Sequence, residues 1–126
     1  MARHINSMAD LKEYLRSLHA NSGHHAKSMM DVFPKVLSAV IERMDEGSLY
    51  AWEQNGQIKN SAWATFQGNK YFFSYDHIND CVSVKLDSTQ GHVIDSFHQA
   101  DSFDDISRRI HGLQYRSNFI TSSSSP

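Results

Sequence analysis

The chain has little of what would fix its chemistry at a glance. It carries one cysteine, Cys81, in 126 residues. That excludes an intramolecular disulfide and every zinc pattern built on several thiolates, and it fits a reducing compartment. Its two prolines and six glycines are too few for a collagen-like or low-complexity segment. The net charge is only −2 at pH 7, so there is no electrostatic drive towards nucleic acid or an anionic membrane. No apolar run reaches the roughly 20 residues of a membrane span. The start, MARHINSMADLKEYL, lacks the apolar core of a signal peptide. The expected setting is cytoplasmic, with translation starting at Met1 or at Met8. A Gly-rich phosphate loop, an HExxH motif and a paired-carboxylate signature are all missing.

What is present reads as ordinary globular composition, 40% hydrophobic and 21% charged, at a length that suits one domain. The expectation is a single α+β domain over residues 1–120 and a flexible Ser-rich tail over 121–126. Residues 1–6 show no periodicity and read as loose. Ser7 then caps a helix from Met8 to about His19, with Asp10 placed for a capping box. A second helix runs from about Ala26 to Asp45. Its apolar stripe comprises Met29/Met30, Phe33, Val36/Leu37, Val40/Ile41 and Met44. Pro34 should kink it or restart it, and Gly47 ends it. Asp45 and Glu46 lie at its negative end, a placement the helix dipole disfavours.

From Leu49 the apolar period falls from about four to two. LYAWEQ, QIKNSAWATF, YFFSY, CVSVKL and HVIDSF read as five strands of an antiparallel meander. Turns are expected at Asn55-Gly56, Gly68-Asn69 and Asp76–Asp80, and a bulge or break at Asn60-Ser61. Ser102 caps a third helix, with Phe103, Ile106, Ile110 and Leu113 on its inner stripe. The predicted fold is thus a five-stranded antiparallel meander with two N-terminal helices and one C-terminal helix.

The polar constellations read as structural. His24-His25 are adjacent, which does not favour chelation as an i,i+4 pair would. Asp76-His77 and Asp80-Cys81 stand at opposite ends of one turn, which argues against a thiol–imidazole pair. Asp95 falls on the strand face opposite His92 and His98. Arg108, Arg109, His111 and Arg116 would suit an anion, but helix-dipole complementarity accounts for the first three. Neither a metal nor a cofactor is expected.

The aromatic residues carry the functional reading. Tyr71, Phe73 and Tyr75 share one strand face and Phe72 the other. Trp63 and Phe66 likewise fall on opposite faces. Both faces of the sheet are therefore aromatic, and helices cover one. A second copy of the chain, or the chain's own 114–121 segment through Tyr115 and Phe119, would cover the other. The expected interface or ligand residues are Trp63, Tyr71, Phe73, Tyr75 and His77. Stacking of single-stranded bases is disfavoured because only Lys70 is at hand for phosphates.

AWATFQGNKYFFSYDH, TQGHVIDSF and SFDDISRRI, in this order of elements, resemble the small α+β proteins encoded in bacterial integron gene cassettes. The resemblance covers Leu49 to Leu113. It implies a bacterial, cytoplasmic, homo-oligomeric protein and brings no catalytic residues. The reading is a non-enzymatic binding or interaction protein acting as a homodimer. The alternative is a small enzyme or small-molecule binder with a pocket between the second helix and strand 71–75.

Overall fold

The structure is a computed structural model. It describes residues 2–20, 27–54, 59–88 and 90–113 in full, and the backbone alone at 21, 26, 57, 58 and 114–123. Among these the order is β1 (Ala2–His4), α1 (Met8–Asn21), α2 (Ala26–Arg43), β2 (Tyr50–Gln54), β3 (Gln57–Phe66), β4 (Asn69–Asp76), β5 (Cys81–Leu86), β6 (Val93–His98) and α3 (Phe103–Ser123). The strands form one antiparallel sheet in sequence order. It has six strands rather than five. The extra one, β1, lies in the stretch expected to be loose. Three residues are too few to display a period, and β2 supplies the pairing, continued by the Ile5 amide to the Leu49 carbonyl at 2.9 Å.

Both expected helix caps are present. The Ser7 hydroxyl accepts from the Asp10 amide at 3.1 Å, and the Ser102 hydroxyl accepts from the Asp105 amide at 3.1 Å, which satisfies one orphan donor at each N-terminus. The Asp10 carboxylate reaches back to the Asn6 amide, 3.0 Å away. α2 continues unbroken through Pro34 instead of restarting there. α3 runs on to Ser123 although its apolar stripe fades after Leu113. The Asn55-Gly56 turn, the His24-His25 pair and residues 124–126 lie outside the described residues, as do the side chains of Tyr115 and Phe119. No helix among the described residues is long and apolar enough to cross a membrane.

All three helices bury their stripes against one face of the sheet. Leu11, Tyr14 and Leu18 of α1, Phe33, Val36, Leu37 and Val40 of α2, and Ile106, Ile110 and Leu113 of α3 share one core with the strands. The Tyr14 hydroxyl crosses that core to the Lys59 carbonyl at 2.7 Å. Burial pushes its pKa well above the ordinary phenol value. Lys59 adjoins the irregularity expected at Asn60-Ser61. Going from Ala51 to Glu53 on β2, the partner on β3 moves from Ala62 to Ile58, so two steps face four. The bulge frees a carbonyl that the ladder would otherwise hold, and Tyr14 uses it.

A single carboxylate fastens α2 to the β3–β4 hairpin. Gln67 and Gly68 both have positive φ, 54° and 83°, the pattern of a type I′ turn, one residue earlier than expected. Asp45 accepts there from the Gln67 amide (2.9 Å), the Gly68 amide (2.9 Å) and the Thr65 hydroxyl (2.8 Å). Its own amide donates to the Thr65 carbonyl at 2.8 Å. Desolvation raises its pKa, but these three donors outweigh it and hold the carboxyl below its usual range. The disfavoured position at the helix end is therefore occupied for the hairpin. Asp45→Ala should cost about 2–3 kcal/mol in urea unfolding, since hydrogen bonds to a charged acceptor are lost. Because the folded pKa is depressed, the stabilisation is present above the unfolded value of about 3.9 and disappears as pH falls through the lower folded value. The gap between wild type and variant should close over that acid window. A gap independent of pH would exclude the carboxylate as its source.

Candidate functional site

Strand alternation decides which aromatic residues are available. On β3, Ala62, Ala64 and Phe66 face the helices, while Ser61, Trp63 and Thr65 face away. Pairing then fixes β4: Ala62 is opposite Phe73, Ala64 opposite Tyr71, and Trp63 opposite Phe72. Tyr71 and Phe73 are fully buried, Tyr75 nearly so. These three are core residues and not the exposed platform expected of them. Between α2 and β4, where the alternative placed a pocket, the structure has packed side chains. The alanines at 51, 62 and 64 leave room for the large rings beside them, so small and large side chains interlock under the helices.

The opposite face carries a connected set of rings that no described helix covers. His4 stacks on Tyr50 at 4.7 Å between centroids, and Tyr50 on Trp63 at 6.0 Å. Trp63 also meets Trp52 at 6.3 Å, tilted by 46°, and Phe72 at 5.8 Å, tilted by 38°. The Lys70 ammonium sits 5.9 Å from the Phe72 centroid. Beside the rings runs a lower polar row. Ser61, Ser74, Ser83 and Ser96 are cross-strand partners in succession, and the Ser61 and Ser74 hydroxyls bond at 2.9 Å. Trp52, Trp63 and Phe72 floor a cleft of about 550 Å³, within the size range of small-molecule sites. Lys70, Asp87, Ser88 and Ser61 complete its lining. Trp52 is 42% exposed.

Of the residues expected from sequence, Trp63 stands at the centre of this face. His77 lies at the β4–β5 turn, edge-on to Tyr75 at 5.0 Å, with its Nε2 3.0 Å from the Asn60 amide nitrogen. Tyr75 donates to Asp80 at 3.2 Å. Burial, then the neighbouring Asp80 charge, pushes its hydroxyl up to about 12. The structure therefore separates Trp63 from Tyr71, Phe73, Tyr75 and His77 and joins it to Tyr50, Trp52 and Phe72, which sequence reasoning did not select. The signal for them was the row of small and polar neighbours. Ala62 and Ala64 mark the face that meets helices, and Ser61, Lys70 and Ser74 mark the face that meets water.

The remaining polar clusters are tied into the fold. Asp76 accepts from the Asn79 side chain and from the amides of Asn79 and Ile78, and those bonds, led by the Asn79 side chain, lower its pKa. Cys81 is buried. Arg109, whose place towards the end of α3 needed no anion to explain it, is held by acids of the chain itself. It bonds Asp95 of β6, Asp101 at 3.3 Å, Asp105 at 3.2 Å and the Ser96 carbonyl. Its guanidinium also covers the Phe97 ring, 4.5 Å from the centroid. The bond to Asp95 is the leading cause of its raised pKa. This clasp fixes α3 to β6. Among the described residues no group of three His, Cys, Asp or Glu side chains could hold a metal ion. Arg109→Met leaves three carboxylates together without their cation and should cost about 2 kcal/mol, discounted for partial solvent screening. Added salt should restore part of that loss by screening the repulsion. Chemical denaturation at low and high ionic strength measures both effects.

No curated protein matches the sequence. A family model does match, over residues 11–106, from α1 to the first turn of α3. The match spans the ring-bearing strands β2 to β4 and both walls of the cleft. On that extent the chain belongs to the family described as "Integron cassette protein VCH_CASS1 chain".

Proposed function

We propose that this is a non-enzymatic binding protein that acts as a homodimer through the open face of its sheet. The observation that carries the reading is the contiguous ring set of Tyr50, Trp52, Trp63 and Phe72 on a face that no described helix covers. Soluble monomers seldom leave such a patch in water. A second copy covers both patches in one contact, and two-fold symmetry is the commonest arrangement. Raised rings lie beside a low serine row, so a two-fold operator can set the rings of one copy over the serines of the other.

The titratable clusters support binding over catalysis. Asp45, the Arg109 clasp and the Tyr75–Asp80 pair are each engaged in holding elements together. None of them lines the cleft.

Light scattering at micromolar concentration should give twice the chain mass of 14.4 kDa. A single-chain mass that is unchanged on concentration would contradict the dimer. Trp63→Glu should yield a folded monomer, because its side chain is on the open face. Tyr71→Glu should not fold, because an unpaired charge in the core costs several kcal/mol. A Trp63→Glu protein that stays dimeric would place the interface elsewhere.

A further inference from the structure

The cleft lies on the face that the proposed dimer covers, so a ligand there and a second copy compete for the same rings. Its floor is three rings, and its wall carries one cation and one anion. The Asp87 amide donates to the Lys70 carbonyl at 2.8 Å, so the two residues are neighbours across β4 and the end of β5. Their charged groups nevertheless do not pair with each other. Among the described residues, neither the Lys70 ammonium nor the Asp87 carboxylate has an ion-pair partner. The Ser88 hydroxyl accepts from the Gln90 amide at 3.0 Å, which leaves its own proton free to donate.

We propose that this cleft binds a neutral saccharide, with a pyranose ring lying on Trp63 between Trp52 and Phe72. Three features select that class. An anionic ligand would meet Asp87 and a cationic one Lys70, whereas a neutral ligand meets neither penalty. The polar groups on the wall are a donor (Lys70), an acceptor (Asp87) and a hydroxyl (Ser88), which suits a ligand whose edge offers donors and acceptors together, as sugar hydroxyls do. The floor is curved, with its rings tilted by 46° and 38°. A flat heteroaromatic ring stacks best on a parallel plane. A puckered ring with one face of slightly positive C–H groups suits several negative ring faces at different tilts. Trp63 is held from three sides by Tyr50, Trp52 and Phe72, so little ordering is left to be done on binding.

The chain has two tryptophans, Trp52 and Trp63, and both line the cleft. Intrinsic fluorescence therefore reports on this site. The full chain, diluted below the concentration at which two copies associate, is titrated with maltose, cellobiose, lactose and N,N′-diacetylchitobiose, and with glucose 6-phosphate and triglycine as counter-probes. At least one disaccharide should give a saturable change, and Asp87→Asn and Lys70→Met should each weaken it about tenfold, the loss of one charged hydrogen bond. Saturation by glucose 6-phosphate or triglycine with none by the disaccharides overturns the assignment. So does the absence of a saturable response to all four disaccharides in the dissociated chain. Light scattering during the titration separates the two proposals: a chain that is monomeric at every concentration and saturates keeps the saccharide site and loses the dimer, and a dimer that dissociates on dilution without responding to any disaccharide does the reverse.

Discussion

Every strand in this sheet must send alternate side chains to opposite faces, and the described helices all pack on one of them. That constraint governs the rest of the molecule. Ala51, Ala62 and Ala64 stand next to Tyr71 and Phe73 under the helices, so α1 and α2 can approach the sheet without a void. The same register turns Trp63 and Phe72 outward. Shifting β3 by one residue would exchange the two sets and put serine and threonine under α1. Two polar devices oppose such a slip. Asp45 grips the Gln67-Gly68 turn from the end of α2, and the bulge at Lys59–Ser61 offers its carbonyl to Tyr14.

The fold and the proposed working surface are therefore consequences of one arrangement. Charged side chains are drawn into fastening, with Asp45 at the hairpin and Arg109 between α3 and β6. The open face carries rings and serines, with Lys85 opposite Phe72 and the charges of Lys70 and Asp87 in the cleft wall. A surface of that kind gains free energy by covering apolar area and by satisfying a few directed polar groups, which is how binding sites work. Membership of the integron cassette family fits this layout and assigns it no chemistry.

Much of the architecture was legible because it rests on local signals. The two serine caps, the wide stripe of α2 and the fall in period after Leu49 each depend on residues close in sequence. β1 was not legible, since Ala2–His4 gains its structure from β2, far along the chain. The end of α3 was missed because its last turns have no apolar stripe to mark them. The roles of Asp45 and Arg109 depend on partners up to 23 residues away, and charge order along a helix could not reveal them. The aromatic strand shows the limit most clearly. Parity separated Tyr71, Phe73 and Tyr75 from Phe72, but aromatic content alone could not say which set the helices would cover. The neighbouring alanines could have. They occupy the face where another element approaches closely, and that inference requires the β3–β4 register before it can be drawn.

Acrylamide quenching of the two tryptophans tests the central claim most directly, because Trp52 and Trp63 lie together on the face held to be open. At high dilution their emission should be readily quenched. As concentration rises into the range where two copies associate, quenching should fall, in step with any increase in mass. Strong protection already present at high dilution would contradict the account, since the rings would then be covered within a single chain.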